Sequence, residues 1–345
     1  MTLNLSGIMN ETPNETPNET SDEIINSYPF ENICIEGGGA RIIAIGGTLI
    51  ELERRGILQN LKRFCGTSAG AIIATALAIG YSGTELSKLL CDTNFSQFMD
   101  NSFGIVRDMN RIYTKYGYCK GNNFLNFACD MIAKKTYNIR HGNITFKELY
   151  DISDKELVLV ATNISKDKVA YLSRFTTPNM PISLAVRASM SIPFVYTPVT
   201  YDNNIYCDGG ISMNYALQVF DGDFPKDMDN NYTEINPKTL GLKFMSRDEK
   251  RNNDIYTKPD VINNVFSYGG AILNHMLKRL ERIPVKIGYW ERTITIPTED
   301  IGTLDFKLSD DTKIAAQKNA MKVANDELDY FDKNKKFPND IKIEK

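Results

Sequence analysis

Short apolar runs that alternate with helix-length amphipathic segments place the strongest constraint on the fold. The runs "NICIE" (32–36) and "LKRFC" (61–65) have the length and composition of strands. The segments "RIIAIGGTLIELERRGI" (41–57) and "AGAIIATALAIG" (69–80) have the pattern of helices, the first ending at Gly56. Strands that alternate with helices of this length form βα units, which assemble into a mainly parallel sheet covered on both faces. The sequence therefore predicts the α/β class.

The later part of the chain continues this alternation. Two neighbouring runs, "ELVLVATNI" (156–164) and "KVAYLS" (168–173), are predicted to pair as strands. The segment "PISLAVRASMS" (181–191) is predicted to be a helix, and "NIYCDGG" (204–210) a strand that ends in a turn. The residues "ERTITIPT" (291–298) alternate like a further strand.

A final helix is predicted after Ser309, which has the side chain of a good N-cap. Its apolar residues recur at helical spacing: Ile314, Met321, Ala324, Leu328 and Phe331. A helical pattern also covers residues 260–283.

The composition along the chain predicts five segments. Residues 1–28 contain the repeat "NETPNETPNET", which offers too little apolar surface to fold, so we expect a disordered tail. Residues 29–220 form the core, and the polar residues 221–259 are predicted to be a surface excursion. Residues 260–335 complete the same domain with a helix, a strand and the final helix, and residues 336–345 form a charged tail.

Charge and hydropathy limit the classes of partner. The net charge of −3 and the pI of about 5.7 provide no global basic field for nucleic acid. The chain start has no basic region followed by an apolar region, as a secretory signal requires. The longest apolar stretch, 69–79, is too short to span a bilayer. We therefore expect an intracellular protein, cytoplasmic or peripheral at membranes.

The six cysteines show no C-x-x-C pair and no cysteine–histidine spacing, which argues against a zinc site. Cys34, Cys65 and Cys207 lie in apolar strand-like runs and are predicted to be small buried hydrophobes. A disulfide framework is not expected, which suits a reducing compartment. We expect no metal and no other cofactor.

Ser68 is the candidate nucleophile. It is the central residue of a G-x-S-x-G sequence, Gly66 to Gly70, which follows a predicted strand and precedes a predicted helix. That context is required for a nucleophile elbow, in which glycines on either side allow the strand and helix to pass closely. The helix N-terminus favours developing negative charge. The alternative interpretation is a tight turn that contains serine by chance.

A serine nucleophile needs a base, and the chain has only two histidines. His141 lies in a predicted loop and precedes any candidate acid. His275 would complete the α/β-hydrolase order Ser…Asp…His with Asp208, but it shares a helix face with Arg279 and Arg282, so we interpret it as a solvated structural residue. Asp208 follows an apolar strand and precedes Gly209 and Gly210, which places a carboxylate at the end of a strand. Desolvation would raise its pKa and make it a better base. An ordinary Asp-Gly turn is the alternative.

Four ordered motifs together resemble the patatin-like phospholipase family. They are Gly-Gly-Gly-x-Arg (Gly37 to Arg41), G-T-S-A-G-A from Gly66, A-S-x-x-I-P from Ala188 to Pro193, and D-G-G from Asp208. The similarity extends from about Phe30 to Phe331 and includes "TFKELY" (145–150) and "DFKLSDDTK" (305–313).

The resemblance implies an α/β/α sandwich and a Ser–Asp dyad without histidine, with Ser68 as nucleophile and Asp208 as general base. It implies that the backbone amides of Gly37, Gly38 and Gly39 form the oxyanion hole, with Arg41 supporting that loop. The implied activity is calcium-independent hydrolysis of lipid acyl esters through an acyl-serine.

The glycine loop has two alternative interpretations, a phosphate loop and a dinucleotide site. A P-loop requires Lys-Ser or Lys-Thr after its last glycine, and neither follows Gly39. Ile42 replaces the glycine that a dinucleotide fingerprint needs. The family loop also commonly has glycine there, so Ile42 bears on how loop and helix pack and on the shape of an acyl pocket. Bare amides suit an oxyanion.

The predicted partner is a lipid or phospholipid, and the oligomeric state is not predicted. A lipid acyltransferase would use the same acyl-serine, and a non-catalytic lipid-binding protein would use the same scaffold. We interpret the basic cluster Lys278, Arg279 and Arg282 as a solvated helix face, and peripheral contact with anionic membrane headgroups is the alternative.

Overall fold

The secondary structure is that of a computed structural model. It describes residues 28–100, 105–136, 139–228, 234–245, 288–298, 301–303 and 305–338. The strands in these ranges are β1 Asn32–Ile35, β2 Arg63–Thr67, β3 Gly117–Cys119, β4 Glu156–Asn163, β5 Lys168–Leu172, β6 Phe194–Tyr196, β7 Val199–Tyr201, β8 Asn204–Asp208, β9 Thr239–Met245 and β10 Thr293–Pro297. The α-helices are α1 Ile45–Arg54, α2 Ala69–Ala78, α3 Gly83–Asp92, α4 Ile105–Lys115, α5 Asn122–Lys135, α6 Phe146–Ser153, α7 Ile182–Ser189 and α8 Asp310–Asn334.

One sheet organises these elements, with the strand order β10-β9-β1-β2-β4-β8-β7 and with β5 paired to β4. The five strands from β10 to β4 run parallel. Strands β5 and β8 run antiparallel to β4, and β7 runs antiparallel to β8. Strands β3 and β6 form a separate two-stranded parallel sheet. The predicted mainly parallel sheet is confirmed.

Both faces of the sheet are buried. In β4, Leu157, Leu159 and Ala161 join the larger apolar cluster, which also includes residues of α1, α2 and α8. The alternate residues Val158 and Val160 join a second cluster that includes Leu217 and Phe220. Because successive strand residues point to opposite faces, the two clusters lie on opposite sides of the sheet. The predicted layered α/β fold is confirmed.

The prediction of a surface excursion over residues 221–259 is wrong where that segment includes strand β9. Its seven residues, Thr239–Met245, are all buried, and β9 lies between β1 and β10 in the sheet. The run is obscured in the sequence by its polar flanks and by Lys243, whose charge indicates solvent exposure. Lys243 instead pairs with the buried Glu36, so its charge is compensated inside the protein.

Strands β2 and β8 meet end to end along one edge of β4. Thr67, the last residue of β2, lies opposite Val160, and Asp208, the last residue of β8, lies opposite Ala161. Both strands occupy the edge that β5 does not, because β5 pairs with the same β4 residues from the other side. They run in opposite senses, so their carboxyl ends converge at the middle of β4. This convergence positions the candidate site.

Helix α8 begins as predicted, since the Ser309 side chain accepts a hydrogen bond from the Thr312 amide. Of the apolar residues predicted to recur at helical spacing, Ala324, Leu328 and Phe331 are buried, whereas Ile314 and Met321 are only half-buried. Lys313 and Gln317 are buried in their place, where they donate to backbone carbonyls.

Cys34, Cys65 and Cys207 are buried, as predicted. No α-helix within the described ranges is long and apolar enough to cross a membrane. Three predicted features lie outside the described residues: positions 1–27 of the tail predicted over 1–28, the helix over 260–283 with His275, and the cluster Lys278, Arg279 and Arg282. Tyr28, the last residue of the predicted tail, is buried.

Candidate active site

Ser68 lies in a sharp turn between β2 and α2. Its backbone φ of 52° is in the left-handed region, which is unusual for serine and stores strain. A Cβ on Gly66 would lie 2.3 Å from the Gly70 carbonyl oxygen, and a Cβ on Gly70 would lie 2.6 Å from the Ile35 and Glu36 carbonyl oxygens. The turn therefore requires glycine two residues on either side of Ser68, where the helix crosses its own strand and the end of β1.

Ser68 and Asp208 form a buried hydrogen-bonded pair. Ser68 Oγ donates to Asp208 Oδ2 over 2.7 Å, and the Gly210 amide donates to Asp208 Oδ1 over 2.7 Å. Burial removes the carboxylate from water and raises the pKa of Asp208 to about 7, although the hydrogen bonds from Ser68 and Gly210 oppose that rise. Near neutral pH the carboxyl group can therefore both accept and return a proton.

The last residue of α7 and the segment after it hold the backbone of both members of this pair. The Ser68 amide donates to Ser189 Oγ over 2.8 Å, and Ser189 Oγ donates to the Val160 carbonyl oxygen over 2.6 Å. The Asp208 amide donates to the Ser191 carbonyl oxygen over 2.9 Å. Ser189 belongs to the A-S-x-x-I-P motif, but nothing in the sequence indicates that its hydroxyl reaches the candidate nucleophile.

The glycine loop presents two uncommitted amides. The Gly37 amide donates to the Asn214 carbonyl oxygen over 3.1 Å, and Asn214 Nδ2 donates back to the Gly37 carbonyl oxygen over 3.0 Å. The Ala40 amide donates to the Thr303 carbonyl oxygen over 2.9 Å. Between these positions, the amides of Gly38 and Gly39 make no hydrogen bond to any described residue. Gly39 has a φ of +54°, so glycine is favoured there.

Residues of strand β9 contact the glycine loop and the residue before it. Glu36, which precedes the loop, forms a buried ion pair with Lys243 and accepts a hydrogen bond of 2.8 Å from the Phe244 amide. The Phe244 ring packs beneath Gly38, where an added Cβ would come within 2.6 Å of it. The Arg41 guanidinium lies 5.9 Å from the centre of the same ring, and Arg41 Nε donates to the Gly38 carbonyl oxygen over 3.4 Å.

Two adjoining cavities open beside Ser68. The more polar one is bounded by the glycine loop, Arg41, Asp208 and Asn214. The other is apolar. Its walls include Ile42, Ile72, Phe95, Phe124, Tyr196 and Phe306. Ser68 and Gly39 border both cavities. A reacting group at Ser68 would therefore have a polar space on one side and an apolar space on the other.

Most of the sequence-predicted site residues meet at this place. Gly37, Gly38, Gly39, Arg41, Ser68 and Asp208 all border the more polar cavity. Gly209 lies behind Asp208, where a Cβ would come within 2.2 Å of the Val160 carbonyl oxygen. His141 is exposed in a 3₁₀ turn and borders neither cavity. Asn214, Ser189, Glu36 and Phe244 were not predicted, because their contacts join distant parts of the chain.

Comparison with known proteins gives related sequences and folds. The family model described as Patatin-like phospholipase matches residues 33–221. The uncharacterised protein R571 of Acanthamoeba polyphaga mimivirus is 30% identical over 286 residues, or 82% of this chain and 89% of that protein. The probable lipid hydrolase 463L of Invertebrate iridescent virus 6 is 29% identical over 193 residues, or 55% of this chain and 63% of that protein. The chain thus spans less than two thirds of this second relative.

A solved structure with a similar fold is VipD from Legionella pneumophila, with a TM-score of 0.56 and 17% sequence identity. The match covers 88% of this chain and 67% of VipD. At this level of identity the likeness concerns the fold alone.

Proposed function

Because the chain belongs to the patatin-like phospholipase family, we propose that it hydrolyses acyl esters of phospholipids or other lipids through an acyl-serine intermediate. The observation that carries this proposal is the buried 2.7 Å hydrogen bond from Ser68 Oγ to Asp208 Oδ2, set beside an apolar cavity. The description of the viral relative 463L as a probable lipid hydrolase also supports it.

The proposed reaction uses Ser68 as nucleophile and Asp208 as proton carrier. Asp208 accepts the Ser68 hydroxyl proton as Oγ attacks the ester carbonyl carbon, and then gives this proton to the departing alcohol. The acyl group is then bonded to Ser68. A water molecule attacks it, Asp208 accepts the water proton, and the fatty acid leaves as Ser68 Oγ regains a proton from Asp208.

We assign the oxyanion hole to the amides of Gly38 and Gly39. These amides have no other described partner, whereas the Gly37 amide already donates to Asn214. Each donor of this kind typically lowers the barrier by about 3–4 kcal/mol. Arg41 and Phe244 have a supporting role in this proposal, because both contact Gly38. The proposed oxyanion hole therefore contains two of the three glycine amides.

The apolar cavity is assigned to the acyl chain. Its aromatic and aliphatic walls remove a hydrocarbon chain from water, which is favourable by about 0.8 kcal/mol for each buried methylene. Ile42 is 1% exposed and forms part of this wall. In this proposal the isoleucine that departs from the common family loop shapes the acyl pocket.

The activity is expected to rise with pH, with a midpoint near 7. Only the ionised Asp208 carboxylate can accept the Ser68 proton, and burial raises the pKa of Asp208 to about 7. Below the midpoint, kcat/KM should therefore fall by about tenfold per pH unit. The measurement is kcat/KM for a soluble short-chain ester across this range, with folding followed by circular dichroism at each pH. A profile that stays flat to pH 5 in folded protein would exclude Asp208 as the base.

The direct test is a panel of lipid esters incubated with the protein in H₂¹⁸O and examined by mass spectrometry. We expect a free fatty acid with one ¹⁸O in its carboxyl group, because water resolves the acyl-serine. Transfer of the unlabelled acyl group to an added alcohol or lipid, without ¹⁸O, would indicate the acyltransferase instead. No product from any lipid, together with no labelling by a fluorophosphonate probe, would indicate a non-catalytic lipid-binding protein.

A further inference from the structure

Three exposed aromatic side chains form an apolar rim on one side of the molecule. We define the aromatic rim as Tyr113, Tyr116 and Phe194, which are 86%, 63% and 67% exposed. Tyr113 and Tyr116 are three residues apart at the end of α4 and just beyond it. Tyr116 precedes Gly117, and Gly117 lies opposite Phe194 in the β3–β6 sheet. The pairing of β3 with β6 therefore places the backbones of Tyr116 and Phe194 close together, although the two residues come from distant parts of the chain.

Two of the rim residues have a strained backbone. Tyr116 has a φ of 61° and Phe194 a φ of 65°, values that are rare for bulky side chains. Residues two apart in a regular strand share one face, so a regular β6 would direct Phe194 to the same side as the buried Tyr196. In the structure, Phe194 instead has a left-handed backbone and its ring is exposed. Strain that leaves an aromatic side chain in water points to a function for the exposed ring.

The aromatic rim adjoins the wall of the apolar cavity along the chain. Ile192 and Tyr196, two residues before and after Phe194, both line that cavity and are 7% and 1% exposed. The residues on either side of Phe194 therefore link the aromatic rim to the cavity beside the candidate nucleophile.

The charged residues near the aromatic rim indicate the kind of surface that the rim can bind. Lys115 and Lys120 are exposed beside Tyr116 and beyond β3, although the whole chain has a net charge of −3. The nearby carboxylate of Asp100 accepts hydrogen bonds from the amides at the start of α5. Exposed aromatic rings flanked by lysines are the composition of surfaces that enter the interfacial region of an anionic bilayer.

We infer that the aromatic rim docks on the surface of a lipid bilayer that contains anionic headgroups. The rings of Tyr113, Tyr116 and Phe194 enter the interfacial region, and Lys115 and Lys120 lie against the headgroups. Docking then brings the apolar cavity beside Ser68 into line with the acyl chains. This inference rests on the proposed lipid hydrolysis, because it assigns the place at which the substrate is taken from the membrane.

The test measures binding to vesicles of diether phosphatidylcholine with diether phosphatidylserine, which carry no acyl ester to hydrolyse. Tyr116→Asn and Phe194→Asn remove the rings, and asparagine tolerates the left-handed backbone at both positions. The double variant is expected to lose about tenfold or more in vesicle partitioning, because less apolar surface enters the bilayer. Tyr330→Asn is the matched control, since Tyr330 is a 40% exposed aromatic residue on α8; it should bind like the wild type.

Turnover of a soluble short-chain ester separates docking from catalysis and folding. It should be unchanged in the double variant, whose cavity and dyad remain intact. Wild-type binding should weaken in high salt and on vesicles of phosphatidylcholine alone. Failure of the wild type to bind the anionic vesicles, or equal binding by the double variant, would overturn the inference whether or not lipids are hydrolysed. A dimer that the double variant dissociates, without vesicle binding, would overturn it too and assign the rim to a second copy of the chain.

Discussion

Replacing Ser68 with alanine is expected to lower kcat for lipid ester hydrolysis by about 10⁵-fold, because the proposed acyl intermediate forms on the Ser68 hydroxyl. Ser68 Oγ is the atom that donates to Asp208, and Ser68 borders both cavities. Without it, the amides of Gly38 and Gly39 could still polarise a bound ester, so a small residual rate above water is expected. The measurement is single-turnover release of fatty acid, together with covalent labelling by a fluorophosphonate probe.

Ser212→Ala is the matched control for the loss of a serine hydroxyl near the site. Ser212 follows Asp208 by four residues, and its Oγ lies 3.0 Å from Thr162 Oγ1, which donates to the Asp208 backbone carbonyl and not to its carboxylate. Its labelling and turnover should stay within a few-fold of the wild type. If Ser68→Ala remained labelled at the wild-type rate, the nucleophile would be a different residue and the proposed mechanism would be wrong.

Replacing Asp208 with asparagine is expected to lower kcat by about 10⁴-fold, because the amide cannot accept the Ser68 proton. The shape of the side chain is retained, and its remaining oxygen can still accept the hydrogen bond from the Gly210 amide. The loss should therefore appear in the chemical step, with little change in the binding of lipid. The control variant is His275→Ala, which should keep most of the wild-type activity. A loss in His275→Ala as large as that in Asp208→Asn would replace the dyad by a histidine-dependent mechanism.

The same variant has an opposite expected effect on stability. The pKa of Asp208 is about 7 in the folded protein, against 3.8 for an unperturbed aspartate. Between these values the folded protein binds a proton that the unfolded chain does not, so this carboxyl's contribution to stability is lost as pH rises through 7. At pH 8 Asp208→Asn removes the cost of the buried charge and should raise the free energy of unfolding, by up to about 4 kcal/mol. Urea denaturation at pH 8 and pH 5 measures this difference, which should shrink at pH 5.

A stability difference that did not depend on pH would contradict the raised pKa of Asp208. It would not contradict the proposed role of Ser68 as the nucleophile. If Asp208→Asn were instead less stable at pH 8 than at pH 5 relative to the wild type, the carboxylate would be stabilised by its surroundings. The catalytic and stability measurements together therefore separate the proton-accepting role of Asp208 from its structural role.

Patterns within short segments were sufficient for much of the fold. The strand–turn–helix context of Ser68 and the N-cap Ser309 follow from residues within a few positions of each other, and the structure has both elements. Strand β9 was missed because its buried Lys243 depends on Glu36, 207 residues away in the chain. A sequence read in short windows cannot show that such a charge is paired.

The sequence by itself determined where sharp turns and bare amides could occur, because glycine spacing and apolar periodicity act over a few residues. It singled out Ser68 and Asp208, but only the tertiary structure decided that their side-chain oxygens lie 2.7 Å apart. That contact requires β2 and β8 to approach the same edge of β4 from opposite ends. The structure likewise decided that Asn214 engages the Gly37 amide and that burial raises the pKa of Asp208. Strand pairing, desolvation and long-range hydrogen bonds are properties of the assembled fold, since each depends on groups that meet only when the whole chain has folded.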